Sequence, residues 1–277
     1  MSEARSTSPT SRGAGTGPAR GSNSANHKKH TRFAWALGIV GAVVPAIILV
    51  LVMAFAWTYY HAEIPEPEVS QKATIVDSGG NMIAEVKQAD GDRKVIPYDE
   101  IPQTMTQAIV AAEDREFWNN DGFSAKGISR AALGKLTGNA DAGGGSTITQ
   151  QYVKNAIVGD ERSYSRKFRE LAFAAKMKPG NGWSKEKILE AYLNTIYFGR
   201  GAYGIAVATQ AYYGKSINKG LTIDQAALIA AIVRAPSYYD PAINPGVVLG
   251  RYQYVLDGMV STGAITKQQA LEVRDRL

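Results

Sequence analysis

Glu113 is a carboxylate whose sequence neighbours make it a candidate proton acceptor. It follows an apolar run, and Ile109 and Phe117 lie one helical turn before and after it. Loss of hydration among apolar side chains raises the pKa of a carboxyl group, and a base works best when its pKa is near the working pH. The sequence therefore favours Glu113 as a general base, although an exposed carboxylate near a helix end would show the same local pattern.

Glu170 differs from Glu113 because cations precede it at helical spacing. Arg166 and Lys167 lie four and three residues before it, which would bring the three side chains to one face of a helix. One carboxylate among apolar residues and one among cations should have different pKa values, as an acid and a base in one site do. Ion pairs on an ordinary helix surface, each stabilising by about 0.2–0.5 kcal/mol, explain the pattern equally well.

The segment GGGSTITQQYVKN, residues 143–155, combines glycines with hydroxyl and amide side chains. Glycines let a ligand approach the backbone closely, and a helix that begins near Ser146 would point free N–H groups at an anion. Ser146, Gln150 and Lys154 would share one face of that helix. The cations of this region suit a diphosphate ligand, and they are Lys154, Arg162, Arg166 and Lys167. A capped surface helix without a ligand is the alternative.

A mainly helical domain is needed to position these residues. Beyond Pro102, apolar residues recur at helical spacing between glycine and proline breaks. The predicted helices cover residues 103–118, 124–136, 146–158, 165–178, 184–197, 201–212, 222–234, 246–260 and 265–275. Ahead of them, two apolar and β-branched runs flank residues 78–81 and predict a short β-hairpin. The amphipathic segment 124–138 is either a half-buried helix or one that dips into a bilayer interface.

Residues 33–60 form an uncharged apolar run that is longer than the roughly 20 residues needed to span a bilayer as a helix. Cations before this run and aromatic residues at its far end predict a cytoplasmic N-terminus. A cleavable signal peptide fits less well, because its apolar core usually has about 7–15 residues. The predicted organisation is a disordered basic tail at 1–32, a transmembrane helix at 33–60, a linker at 61–73 and an extracytoplasmic catalytic domain at 74–277.

The composition argues against several other classes of protein. The net charge is +6, but residues 1–32 hold most of the excess, so the remainder lacks the charge imbalance typical of nucleic-acid binding. The chain contains no cysteine and three scattered histidines, so the sequence offers no dedicated metal site. We therefore expect no required cofactor, and any divalent cation would enter with a substrate diphosphate.

Five motifs in order make the chain resemble the peptidoglycan glycosyltransferase domain (glycosyltransferase family 51) of class A penicillin-binding proteins and of monofunctional peptidoglycan glycosyltransferases. EDREFWNNDG resembles the first motif and GGGSTITQQYVKN the second. RKFRE resembles the third, ILEAYLNTIYFGRGAYGI with AYYGK the fourth, and RAPSYYDP the fifth. The resemblance runs from about Ile101 to Pro241.

This resemblance implies a mainly α, lysozyme-like fold that polymerises lipid II into glycan strands at the bacterial cytoplasmic membrane. Glu113 would be the base for the acceptor 4-hydroxyl, with inversion at the donor sugar and release of polyprenyl diphosphate. Glu170 would be the second essential carboxylate. The implied substrate contacts are Asp114, Ser146, Thr147, Gln150, Lys154, Asn155, Arg162, Arg166 and Lys167. The implied partners are lipid II, the growing glycan, the membrane and other cell-wall synthesis proteins.

The chain departs from the family pattern at two positions that matter for chemistry. Asn120 replaces the histidine of the first motif, and an amide cannot take up a proton at neutral pH. Arg234 replaces the usual glutamine of the fifth motif and could contact an anion. Two other functions stay open at this point, which are an inactive lipid II-binding or scaffold protein and a lysozyme-like muramidase. No K-T-G motif occurs, so we do not expect penicillin binding.

Overall fold

The computed structural model describes residues 24–61, 63–64, 73–79, 82–86, 92–124, 127, 129, 133, 137, 145–159 and 163–274. The chain divides into two compact units, Met1–Met53 and Ala54–Leu277. The candidate site lies entirely in the second unit. Of the sequence predictions, Arg162, most of the tail, much of the 61–73 linker and most of segment 124–138 fall outside the described residues.

Helix α1 extends from Ser24 to His61. Its part Gly41–His61 has 21 residues and a mean hydropathy of 2.3, which is long and apolar enough to cross a membrane. The helix begins earlier than the predicted start near Phe33, so residues 24–32 are helical and the prediction of disorder is wrong for them. No glycine or proline occurs between Ser24 and Gly38, and helix extension from an existing helix is easier than nucleation.

Strands are short and few among the described residues. Strand β1 (Ala73–Val76) pairs antiparallel with β2 (Met82–Val86), and residues 80–81 between them are not described. Strand β3 (Asp92–Arg93) pairs in parallel with β4 (Ala202–Tyr203). The second unit is therefore mainly helical.

The apolar segment 226–232 is buried in the core of the second unit. Among the described residues, eight α-helices follow α1 in this unit. They are α2 (Gln103–Glu113), α3 (Ile148–Val153), α4 (Tyr164–Lys176), α5 (Lys185–Thr195), α6 (Ile205–Tyr213), α7 (Ile223–Ile232), α8 (Pro245–Ser261) and α9 (Lys267–Arg274). Helices α2, α7 and α8 contact one another, and α3 packs against α4 and α5. The site lies where these two groups of helices meet.

Two helix ends near the site differ from the sequence prediction. Helix α2 stops at Glu113 instead of reaching residue 118, because Asp114 leaves helical geometry with φ −155° and ψ 82°. The predicted helix 146–158 is a short α-helix followed by a π-helical turn, Lys154–Val158. Gly159, with φ 80°, ends this turn, and such turns are frequent at functional sites.

A glycine allows α8 to lie close to α2. A Cβ atom added to Gly258 would sit 2.7 Å from the carbonyl oxygen of Ala111, so any larger residue would push the two helices apart. This close approach brings the middle of α8 to the end of α2, where Glu113 lies.

Candidate active site

Glu113 is held between two helices by directed hydrogen bonds. Its Oε1 accepts from Nη2 of Arg251 at 3.0 Å, and its Oε2 accepts from Nε2 of Gln151 at 2.9 Å. The side chain is 11% exposed. The prediction that the carboxylate lies among apolar side chains is therefore wrong. Ile109 and Phe117 are buried in the core, whereas the carboxylate contacts the guanidinium group of Arg251 and the amide of Gln151.

Arg251 is one of three residues near Glu113 that the sequence did not predict, and the other two are Gln151 and Tyr192. The side chain of Arg251 is 8% exposed, and Nη2 also donates to the carbonyl oxygen of Ala112 at 3.1 Å. The guanidinium lies over the ring of Tyr254 at 4.4 Å, and its buried Nε has no hydrogen-bond partner among the described residues. An arginine at helical spacing from Val248 and Val255, on the apolar face of α8, was the available signal, because buried arginine is rare unless it is paired.

Gln151 connects Glu113 to a buried tyrosine on α5. The hydroxyl of Tyr192 donates to Oε1 of Gln151 at 2.8 Å, while the amide nitrogen of Gln151 donates to Glu113. Burial raises the pKa of Tyr192 well above its usual value, and the negative charges of Glu113 and Asp114 raise it further. The phenol is thus kept as a neutral hydrogen-bond donor.

Asp114 ties the end of α2 to the start of α3. Its carboxylate accepts from Nδ2 of Asn120 at 3.1 and 2.9 Å and from the backbone N–H of Ile148 at 3.2 Å. Burial raises the pKa of Asp114, while these hydrogen bonds and the charge of Lys185 oppose the rise. Asp114 also lines the smaller cleft described below.

Asn120 occupies the position of the motif histidine and acts as a link between elements. Its Oδ1 accepts from the backbone N–H of Gly122 at 3.2 Å and from Nζ of Lys185 at 3.1 Å. Lys185, at the start of α5, lies over the ring of Phe117 at 4.6 Å, and burial lowers the pKa of its ammonium group. The amide satisfies a carboxylate and a cation at once without exchanging a proton.

Some residues of the second motif cap helix α3, and others line the larger cleft near Glu113. Thr147 is the N-cap of α3 and forms a capping box with Gln150, whose Oε1 accepts from the N–H of Thr147 at 3.1 Å. Both side chains are buried, so Gln150 does not share a ligand-facing side of the helix with Ser146 and Lys154 as predicted. The next residue, Gln151, takes the position beside Glu113, while Ser146 precedes the helix and lines the cleft.

Glu170 is buried, with a residue exposure of 2%. Its carboxylate accepts from Nη1 of Arg166 at 3.1 Å and from Nζ of Lys167, and Lys167 also donates to Oγ of Ser146 at 3.1 Å. Both glutamates therefore lie against cations, contrary to the predicted contrast between them. Within the described residues, Glu170 does not line either cleft that contains Glu113.

Two clefts meet at Glu113, Ser146 and Arg234. The larger has a volume of about 590 Å³, and the smaller has about 110 Å³. Lys154 and Asn155, at the start of the π-helical turn, line the larger cleft. Three tyrosines also line it, which are Tyr192, Tyr197 and Tyr203. The arrangement can hold a hydroxyl at Glu113 and a polar or anionic group near Lys154.

The sequence of the chain matches a known protein family and its members. The family model described as "Transglycosylase" matches residues 79–260. Penicillin-binding protein 1A of Mycolicibacterium smegmatis is 44% identical over 81% of this chain and 29% of its own length. Penicillin-binding protein 1A of Mycobacterium tuberculosis is 44% identical over 79% of this chain and 27% of its own length, and penicillin-binding protein 1F of Bacillus subtilis is 34% identical over 84% and 33%.

The chain spans less than a third of the length of the two mycobacterial relatives. The matched part contains Glu113, Gln151, Arg251 and both clefts. The chain thus belongs to the transglycosylase family, the peptidoglycan glycosyltransferase domain of class A penicillin-binding proteins.

Proposed function

We propose that this chain is a membrane-anchored peptidoglycan glycosyltransferase that polymerises lipid II. The 4-hydroxyl oxygen of the acceptor sugar attacks the anomeric carbon of the donor, and the bond from that carbon to the polyprenyl diphosphate breaks with inversion. The proton of the hydroxyl passes to Glu113, and the diphosphate leaves with the bonding electrons. The observation that carries the proposal is the carboxylate of Glu113 at the junction of two clefts, fixed by donors from two helices.

Glu113 can remain bound to both donors while it acts as the base. Each carboxylate oxygen has two acceptor directions, so the contacts with Arg251 and Gln151 leave one direction per oxygen for the acceptor hydroxyl. The hydrogen bonds fix the orientation of the carboxylate, which favours proton transfer from a positioned hydroxyl.

The cations near the larger cleft would stabilise the leaving diphosphate. Lys154 lines the cleft directly, and Lys167 reaches its edge through Ser146. We assign Glu170 to holding Arg166 and Lys167 in place, because its carboxylate is buried against both. The predicted diphosphate contact at Arg162 is retained as a proposal, as are the predicted sugar and phosphate contacts of the cleft-lining residues Ser146, Thr147 and Asn155. The predicted contact at Gln150 is not retained, because its side chain is buried in the capping box.

The remaining parts of the proposal concern the setting of the reaction. Helix α1 would anchor the chain in the cytoplasmic membrane with the catalytic domain outside, and the helical domain would have a lysozyme-like fold. No cofactor is proposed, and a divalent cation would arrive only with the diphosphate. The growing glycan is the proposed second substrate.

Substitution of Glu113 by Gln tests the proposal. The amide keeps the size of the side chain but cannot accept the proton, so polymerisation of labelled lipid II should fall by at least about 100-fold. Glu100→Gln, a change of an exposed carboxylate that lines neither cleft, should leave the rate unchanged.

The same assay distinguishes the other functions. Near wild-type polymerisation by Glu113→Gln would remove Glu113 from the role of base. Binding of lipid II without polymerisation by the wild-type chain would indicate a binding or scaffold protein. Release of short fragments from finished peptidoglycan would indicate a hydrolase.

A further inference from the structure

Two loops form part of the wall of the larger cleft. Residues 196–204 join α5 to α6, and residues 233–244 join α7 to α8. We call them the two wall loops. Both line the cleft that contains Glu113, so their position affects where a substrate lies relative to that carboxylate. Their cleft-lining residues are Ile196, Tyr197, Tyr203, Val233, Arg234 and Pro236.

An ion pair joins the two wall loops outside the cleft. Arg200 of the first loop donates to both carboxylate oxygens of Asp240 in the second, from Nε to Oδ2 at 2.8 Å and from Nη2 to Oδ1 at 2.6 Å. Asp240 is buried, and its Oδ1 also accepts from the backbone N–H of Ala242 at 2.9 Å. Neither member of the pair lines the larger cleft. Two parallel hydrogen bonds fix both the distance and the direction of such a pair, so it holds the loops in one relative position.

The backbone of the first loop has an unfavourable conformation at the ion pair. Gly199, Arg200 and Gly201 have φ values of 89°, 53° and 71°, and the left-handed region is unusual for arginine. Gly199 packs directly on the second loop, because a Cβ atom added to it would lie 3.3 Å from Cβ of Pro236. The guanidinium of Arg200 also lies 4.3 Å from the ring centre of Tyr212. A strained residue persists where surrounding contacts hold it, and here those contacts include the pair with the second loop.

We propose that Arg200 and Asp240 are positioning residues that hold the two wall loops together for substrate binding. They act through the cleft-lining residues of the loops, because neither lines the cleft itself. Glu113, Gln151 and Arg251 lie on helices α2, α3 and α8, so loss of the pair should weaken substrate binding more than it slows the chemical step. The proposal rests on the proposed function for its substrate, lipid II.

Substitution of Arg200 by Asn tests the kinetic consequence in the detergent-solubilised full chain. Asparagine adopts the left-handed conformation more readily than arginine, so the variant removes the pair without adding strain to the turn. We expect KM for lipid II to rise by about tenfold and kcat to stay within about threefold of the wild type. Tyr252→Phe is the control for a general loss of stability. It removes a buried hydrogen bond of 2.9 Å to the carbonyl oxygen of Val273, and residue 252 lines neither cleft, so KM should not change.

Amide hydrogen–deuterium exchange tests the connection between the loops without catalysis. In Arg200→Asn, the backbone amides of Tyr238 and Ala242 in the second loop should exchange at least about threefold faster than in the wild type, because the pair that fixes this hydrogen-bonded loop is lost. In Asp240→Asn, the amide of Ala202 in the first loop should respond in the same way.

The outcomes separate the ion pair from the proposed function. Faster exchange in the loop opposite each substitution would support the connection even if the chain failed to polymerise lipid II. Unchanged exchange in the opposite loop would overturn it, as would a lower kcat at unchanged KM, which is the result expected from a loss of folded enzyme alone. The same rise in KM, or the same change in exchange, in Tyr252→Phe would also overturn the proposal.

Discussion

Glu113 and Arg251 form an ion pair that is largely withdrawn from solvent, with side-chain exposures of 11% and 8%. Such pairs contribute little when compared with an apolar replacement of both partners, but the loss of one partner leaves a buried charge unpaired. Arg251 therefore matters for both stability and chemistry, since Glu113 has one other side-chain hydrogen-bond donor, Gln151, among the contacts described.

Substitution of Arg251 by Met should reveal both roles. Methionine keeps much of the apolar stem but leaves the carboxylate of Glu113 without its cation. We expect the free energy of unfolding to fall by about 3 kcal/mol. We expect polymerisation to fall by about 100-fold, because the carboxylate loses its fixed orientation. Urea titration and a lipid II assay measure the two effects.

Arg274→Met is the control for the loss of an arginine. The side chain of Arg274 is 39% exposed and its Nη2 lies 3.8 Å from Oδ1 of Asp257, so its loss should change stability by less than about 0.5 kcal/mol. Equal stability of Arg251→Met and the wild type would mean that the pair with Glu113 has no net importance.

The sequence predicts some residues of the site and not others for a physical reason. Glu113 could be found because its local pattern and motif identify it. Arg251 could not be placed beside it, because the pair joins residues 138 positions apart. A helix that begins at Ser146 would place Gln150 on the cleft side, whereas the T-x-x-Q capping box makes Thr147 the N-cap and Gln150 part of the cap. Successive residues of a helix are rotated by about 100°, so a shift of one residue in the helix start places Gln151 instead of Gln150 at the cleft.

At the scale of elements, one ion pair joins the turn before β4 to the loop before α8. Arg200 donates to Asp240 through Nε at 2.8 Å and Nη2 at 2.6 Å, and its backbone has φ 53°, which is unusual for a residue other than glycine. The hydrogen bonds from Arg200 hold the pKa of Asp240 below its ordinary value, although burial opposes this. The pair fixes the loop that carries Tyr238.

This ion pair predicts a specific loss of stability in acid. A lowered folded-state pKa stabilises the fold above the unfolded pKa, about 3.9 for aspartate, and the stabilisation disappears as pH falls through the lower folded value. Asp240→Asn should thus have a free energy of unfolding about 1–2 kcal/mol below that of the wild type at pH 7. This range already allows for solvent screening of the pair, because the side chain of Arg200 is 33% exposed. The difference should shrink below about pH 4.

Urea midpoints at pH 7, 5 and 3 measure this prediction. Asp99→Asn changes an exposed aspartate and should follow the wild type at each pH. A gap between Asp240→Asn and the wild type that stayed constant down to pH 3 would contradict the assigned role of Asp240.

Helix periodicity predicts the elements well where it is uninterrupted, and less well at ends that tertiary contacts decide. The predicted segments 184–197 and 222–234 match α5 (Lys185–Thr195) and α7 (Ile223–Ile232) within a few residues. The end of α2 and the π-helical turn depend instead on the contacts of Asp114 and on the packing of α3. Such contacts join distant parts of the chain and leave no periodic signal.

At the scale of the whole molecule, the absence of cysteine allows the orientation of the chain to be tested directly. Asn218→Cys places a thiol at an exposed position of the catalytic domain, and Ser8→Cys places one in the tail. In intact cells, a membrane-impermeant maleimide should label the first variant, while the second should react only after permeabilisation. Both chains should resist extraction from membranes by carbonate.

Two results would contradict this topology. Labelling of both variants in intact cells would place the tail outside. Loss of the Ser8→Cys thiol from the mature chain would indicate cleavage of the apolar segment as a signal peptide.

The hydrogen bonds from Tyr192 through Gln151 to Glu113 form a chain in which each residue donates to the next. The phenol donates to the amide oxygen, and the amide nitrogen donates to the carboxylate. The amide nitrogen of Gln151 faces Glu113 and its oxygen faces Tyr192, so a newly protonated Glu113 that donated to residue 151 would require the amide to flip. The nitrogen would then donate to the phenol oxygen, and the phenol would no longer donate to residue 151. The hydrogen bonding of the buried Tyr192 hydroxyl would then depend on whether Glu113 carries a proton. A deprotonated Glu113 is the state that can accept the next sugar hydroxyl.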